Sequence, residues 1–202
     1  MGQRIIDDFW QPAQGSIDRG ESPAAAARRE IHEEFGIYSG LLSPVAMIPG
    51  ELIYVSPALS NGHIRALRAV VSCFAFLAPE NTFLDLESYT NYQGPEFKAW
   101  QWGDLEKLPD MMPLHKRDMG RDIAKAFSPI PKALRELSPI TDIAILSSAL
   151  QTRLFTNAAT ELADTQHGLI PVSEKMRPVQ GATLWSWLEH ANGQWFPAPG
   201  FR

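Results

Sequence analysis

The stretch that decides the fold is "GSIDRGESPAAAARREIHEEFGI", residues 15–37. Its second half predicts a helix over residues 22–35. Ser22 suits the N-cap and Pro23 the first helical position. The alanine run Ala24 to Ala27 has high helix propensity, and Gly36 stands where a left-handed C-terminal cap belongs. Ala24, Ala27, Ile31 and Phe35 recur at spacings of 3, 4 and 4, so they form one apolar stripe. Glu30, Glu33 and Glu34 are expected beside that stripe, not on it. A turn takes about 3.6 residues, so these three carboxylates share a face. A glutamate-rich helix is by default a solvated face, where like charges cost only a few tenths of a kcal/mol. In a partly dry site the same cluster is tolerable if a divalent cation neutralises it. Hard oxygen ligands suit Mg²⁺ or Mn²⁺, which in turn bind phosphates.

Composition bounds the function. The chain has 202 residues, 45% of them hydrophobic and 20% charged, which is ordinary globular composition. No run of 18 apolar residues marks a membrane span, and "MGQRIIDDFW" lacks the pattern of a secretion signal. The single cysteine, Cys73, excludes an internal disulfide and a Cys-cluster metal site, and fits a cytoplasmic location. The net charge is −5, and residues 1–128 carry 12 Lys/Arg against 17 Asp/Glu, while residues 129–202 carry six of each. That balance argues against DNA or long RNA held on a broad basic face. It suits an acidic centre that recruits cations.

The full spacing of the stretch is specific. Gly15, Glu21, Arg29-Glu30-Ile31, Glu33-Glu34, Gly36 and Ile37 stand at the intervals of a complete Nudix box, so the chain resembles the Nudix hydrolases. The resemblance implies an α/β fold, a mixed sheet sandwiched between helices. It implies hydrolysis of a phosphoanhydride bond in a nucleoside diphosphate-linked substrate, with Mg²⁺ or Mn²⁺ as cofactor. By the same resemblance Glu30, Glu33, Glu34 and the carbonyl of Gly15 are the expected metal ligands. Arg29 and Glu21 are spaced to form a supporting ion pair across loop and helix. Gly15 and Gly20 let the loop backbone approach metal and phosphate.

Other segments narrow the branch. "FWQPAQGSIDRGES" is similar to the "WQFPQGGI" approach of RNA pyrophosphohydrolases and dinucleoside polyphosphate hydrolases, with Pro12-Ala13-Gln14-Gly15-Ser16 in place of Phe-Pro-Gln-Gly-Gly. Tyr54 lies 17 residues beyond Ile37, a spacing associated with the latter; read alone it is equally a strand core residue. "GPEFKAWQW" resembles the branch's "PEF..W.W", which makes Glu96 a further metal ligand or general base. "LHKRDMGRDIAKAF" resembles the helix that begins "FKRDVY", and His115 stands where the branch places a Phe that stacks on a base. Lys116, Arg65 and Arg68 are candidate phosphate contacts, each of which read singly is a surface cation. Glu33, Glu34, Glu96 and Arg29 form the expected catalytic set, with Glu34 or Glu96 as the base. The substrate implied is a dinucleoside polyphosphate or a 5′-triphosphorylated RNA end. Alternatives are an ADP-sugar or other nucleotide, or a non-catalytic module that binds nucleotide or protein.

Strands are expected at Ala46–Ile48, Leu52–Val55, Ala69–Leu77 and "FKAWQWGDL", and a helix at "LHKRDMGRDIAKAF". Only nine residues precede Trp10, so the Nudix fold is expected to be N-terminally shortened. The alternatives are a misassigned start, a truncated chain, or missing strands supplied by the tail "ATLWSWLEHANGQWFPA", with its Asn-Gly hairpin signal, or by a partner chain in a homodimer. "SPIPKALRELSPI" reads as a linker or domain edge. The chain is therefore divided into a hydrolase domain, 1–128, and a mainly helical C-terminal extension, 129–202. Within the extension Ile143, Leu146, Leu150, Leu154, Ala158 and Leu162 recur at helical spacing. Trp185, Trp187 and Trp195 read as core or interface.

Overall fold

Helix α1, Pro23–Phe35, begins and ends where its caps require. Ser22 adopts extended backbone and its hydroxyl accepts from the Ala25 amide at 3.2 Å. Gly36 closes the helix at φ 68° and donates its amide to the His32 carbonyl. The buried face is broader than the expected stripe: Pro23, Ala24, Ala26, Ala27 and Phe35 are buried, and so is Glu30. Glu30 thus lies on the apolar side of the helix rather than beside it. The reason is that α1 wedges between two clusters. Ala26 and Ala27 pack in the main core with Val45, Tyr54, Ala69 and Val71, while Phe35 packs with Ile37, Leu42, Leu84 and Phe97.

The computed structural model describes residues 1–49, 52–60, 63–86, 94–137, 140–161, 169, 171–172 and 195–197. Its strands are β1, Gly2–Arg4; β2, Trp10–Gln11; β3, Ser43–Met47; β4, Leu52–Ser60; β5, His63–Val71; β6, Phe74–Leu77; β7, Phe97–Trp100; and β8, Trp195–Pro197. Among the described residues they pair antiparallel in three sheets, ordered β2-β1-β7, β3-β6 and β4-β5-β8. Helices α2, Leu108–Met111; α3, Arg117–Phe127; α4, Pro129–Glu136; and α5, Ile143–Glu161 complete the α/β arrangement.

Three expectations change. The apolar run Ala69–Leu77 is not one strand. It breaks at Ser72 and Cys73, because β5 pairs with β4 whereas β6 crosses to β3. Both break residues are buried, and the Cys73 carbonyl accepts from Ile48 at 3.0 Å. The "SPIPKALRELSPI" segment is not a linker over residues 129–136 but helix α4. Its prolines fall in the first turn, where a missing N–H costs nothing. Ile130 and Ala133 pack from it into the main core, which Leu150 of α5 also joins. The "LHKRDMG…" helix opens with a 3₁₀ turn at Leu114–Lys116 before α3 begins.

The first strands are not taken from the tail: β1 and β2 form their own ladder with β7, and the described tail strand β8 adds to β5. The Asn-Gly signal, Trp185 and Trp187 lie outside the described residues.

The cap of α1 also fixes the path to Asp85. A Cβ at Gly36 would sit 2.7 Å from the Asp85 carbonyl oxygen, and the left-handed backbone disfavours any side chain there. Gly36→Ala is expected to cost about 2 kcal/mol. Urea unfolding should show a lower midpoint at unchanged slope.

Candidate active site

The loop before α1 is bound to the helix through one guanidinium. Arg29 donates from Nε and Nη2 to Glu21, at 3.1 Å each, and from Nη2 to the Ser16 carbonyl at 2.6 Å. Its Nη1 reaches Glu30 at 2.8 Å and Glu33 at 3.2 Å. The expected Arg29–Glu21 pair is therefore present and forked. Burial opposes the charge on Arg29, but hydrogen bonds and charges from Glu21 and Glu30 outweigh it and hold the guanidinium protonated. Gly15 passes so close to Glu30 that a Cβ would overlap the carboxylate at 1.9 Å. Only glycine fits there, and the next amide, Ser16, donates to Glu30 at 3.0 Å.

Glu34 points the other way. Its Oε2 accepts from the Gln14 amide at 3.0 Å, and its buried Oε1 has no hydrogen-bond partner. Burial pushes its carboxyl well above the usual range, and the charge of the neighbouring Glu96 raises it further. Glu30 is pushed up to about 7, chiefly by burial, with Arg29 opposing and Glu33 adding to the rise. Glu96 stands just before β7, its carbonyl bonded to the Ile5 amide at 3.0 Å. The β1–β7 ladder thereby brings the glutamate of the "PEF" segment to the end of the α1 carboxylates.

A cationic wall faces these acids. Lys116 is 4% exposed. Its ammonium donates to Gln11 Oε1 at 3.1 Å and Gln14 Oε1 at 2.7 Å, and lies 5.1 Å from the centroid of the Tyr54 ring. Burial lowers its pKa to about 8, and Arg4 contributes to the lowering, while Glu96, Asp7 and Glu34 act against it. His115 is half-buried, its ring 5.9 Å from that of Tyr54. Burial, then Lys116 and Arg4, lower its pKa, which favours the neutral, stackable imidazole. Tyr54 itself is 5% exposed, so it is a core residue whose ring also floors this wall. Arg65 and Arg68 lie on β5, opposite Ala58 and Val55. Their side chains lie outside the described residues.

Three residues at this site were not singled out from sequence. Arg4 on β1 bonds Asp7 at 3.0 Å, keeps Nε buried without a partner, and is near enough to bias both His115 and Lys116. Nothing local to a lone arginine signals this, because the β1–β7 pairing places it. Gln11 and Gln14 lie in the quoted "WQPAQG" approach, and that was their only signal. Gln11 Nε2 donates to Glu96 at 3.1 Å.

Among the described residues, no three His, Cys, Asp or Glu side chains are gathered as a ready-made metal centre. Arg29 draws Glu30 and Glu33 to one side while Glu34 turns to Gln14 and Glu96. The donors nonetheless fit a hard divalent ion. They are carboxylate oxygens, one of them buried without a partner, and two of the carboxyls are destabilised as anions by their surroundings.

Comparison with known proteins gives the family. The NUDIX domain family matches residues 2–123. An RNA pyrophosphohydrolase of Sphingopyxis alaskensis is 32% identical over 137 residues, covering 64% of this chain and 84% of that protein. RNA pyrophosphohydrolases of Novosphingobium aromaticivorans and Rhizobium meliloti are 33% and 34% identical, covering 63% and 59% of this chain and 81% and 73% of theirs. Among the described residues no helix is long and apolar enough to cross a membrane.

The raised carboxyls make a prediction about stability. Glu30 and Glu34 keep protons in the folded protein at pH values where the unfolded chain has lost them, so their contribution is full below the ordinary carboxylate range and is lost as pH rises, for Glu30 through about 7. In EDTA, Glu34→Gln should melt with the wild type at pH 5 and above it at pH 8, since the amide carries no buried charge. Coincident melting curves at both pH values would remove burial of the Glu34 anion as the cause.

Proposed function

We propose that this chain, which belongs to the NUDIX family, removes pyrophosphate or a nucleotide from the 5′-triphosphorylated end of RNA or a similar nucleotide polyphosphate. It is a hydrolase of pyrophosphate bonds. The observation that carries the proposal is the placement of the Glu34–Glu96 carboxyl pair opposite the buried Lys116. An acidic wall and a cationic wall face each other across one site. The first suits a cation that accompanies phosphates and the second the phosphates themselves.

Gly15, Glu30, Glu33, Glu34 and Glu96 would hold the cation, Mg²⁺ or Mn²⁺. When bound, it neutralises phosphate charge and polarises the anhydride. Arg29 keeps Glu30 and Glu33 in place while held by Glu21. Lys116 has three N–H donors and gives two to glutamine oxygens, leaving the third for a phosphate oxygen. Arg4 contributes charge on the same wall. His115, half-buried and backed by the buried Tyr54 ring, presents the aromatic surface on which a base stacks. Glu34 or Glu96 accepts a proton from the attacking water. The water oxygen bonds to phosphorus, the P–O bond of the anhydride breaks, and the leaving phosphate takes the electron pair.

A second reading is favoured by one observation. The surplus acid in residues 1–128 suits a small dinucleoside polyphosphate better than long RNA.

Product release from triphosphorylated RNA, diadenosine tetraphosphate and ADP-ribose, each with Mg²⁺ or with EDTA, tests both readings. RNA should be cleaved fastest, and only with the metal. Glu33→Gln and Glu34→Gln should each lower kcat by about 10²-fold or more. Wild-type turnover in both variants would sink the assignment, and no metal-dependent release from any substrate would favour a binding module.

A further inference from the structure

Gln11 is 1% exposed and joins two groups of opposite charge. Its Oε1 accepts from Lys116 and its Nε2 donates to Glu96, both at 3.1 Å. The orientation of that amide is forced. An ammonium has no acceptor, so it can face only the amide oxygen, and the nitrogen is left for the carboxylate. Neither contact is local, since the partners lie 85 and 105 residues away in sequence. An apolar side chain would fill the same space, so packing alone does not explain a buried glutamine here.

A buried ammonium and a nearby carboxylate attract strongly. Left to themselves, Lys116 and Glu96 would close into a direct ion pair. That pair would consume the carboxylate oxygens facing Glu34 and the ammonium proton facing the site. Gln14 acts in parallel, taking a second Lys116 proton at 2.7 Å through its side chain while its backbone amide holds Glu34. The ammonium is thus bound by two neutral oxygens and by no carboxylate in these contacts.

We propose that Gln11 is a positioning residue, an amide spacer that holds Glu96 beside Glu34 and keeps Lys116 from neutralising it. This rests on the reading of Glu96 as a cation ligand. The spacer separates the charges without cancelling either one, so the acid stays available to a cation and the ammonium to a phosphate.

The test uses Mn²⁺ binding by calorimetry alongside steady-state kinetics on the full chain. Gln11→Met keeps the shape and removes both amide contacts. It should weaken Mn²⁺ binding about 10-fold and lower kcat about 10- to 100-fold, with KM changed less. Adding Lys116→Met to Gln11→Met should restore most of the Mn²⁺ affinity, because the competing cation is gone. A packing role would not produce that rescue.

Wild-type Mn²⁺ affinity in folded Gln11→Met, or no rescue in the double variant, overturns the spacer role. Glu96→Ala is the separate control. If it alone leaves Mn²⁺ affinity unchanged, the ligand reading of Glu96 fails and the spacer with it. If it weakens binding while Gln11→Met does not, only the spacer fails. Should Gln11→Met not fold, Gln11→Asn replaces it: one methylene shorter, it cannot reach both partners, and wild-type affinity in it is equally fatal.

Discussion

The guanidinium of Arg29 is the contact on which the site depends. It binds the loop through Glu21 and the Ser16 carbonyl, and the helix through Glu30 and Glu33. Five hydrogen bonds from one fork leave the loop little freedom relative to α1. They also explain how Glu30 can lie on the buried side of a helix otherwise lined by alanines. Desolvation alone would expel an anion from there; Arg29 and the Ser16 amide make it tolerable. Glycine at position 15 follows from the same packing, since the backbone runs against that carboxylate.

The second half of the site obeys a different rule. Lys116, the Gln11–Gln14 pair and Glu96 come from three separate segments, and none is explained by its own neighbourhood in sequence. The β1–β2 and β1–β7 ladders bring Gln11 and Glu96 together, and the 3₁₀ turn ahead of α3 delivers Lys116. Arg29 is a cation paired tightly with acids. Lys116 is a cation held by neutral amides. The first arrangement quenches charge for the sake of structure, whereas the second leaves the ammonium bound only by neutral oxygens in these contacts. A molecule with net charge −5 can therefore still keep a local cationic patch.

This contrast explains how much could be read in the sequence. The α1 helix, its caps, the Arg29–Glu21 pair and the glutamate cluster are all encoded within 23 consecutive residues, so spacing and periodicity expose them. Glu96, His115 and Lys116 were legible only through resemblance of short segments. Arg4 and the amide roles of Gln11 and Gln14 were not legible, because tertiary pairing alone creates their contacts. Elsewhere the failures share a cause. Ala69–Leu77 is uniformly apolar, and periodicity cannot reveal that a buried run serves two ladders in turn. The prolines of residues 129–131 read as breakers, but in a first helical turn they are permitted.

The helices beyond the family match are also tied to the sheet for a specific reason. β3 shifts register between Pro44 and Ala46, which disturbs the ladder at the Pro44 carbonyl. Two α5 side chains supply donors to that oxygen: Ser147 Oγ at 2.8 Å and Gln151 Nε2 at 2.6 Å. A buried carbonyl without a donor is costly, so the irregularity in β3 and the polar residues of α5 belong together. Leu150, 0% exposed, lies between those two residues and packs into the same cluster as Ala26 and Ala27 of α1. The core that carries the glutamate helix therefore continues without interruption into α5.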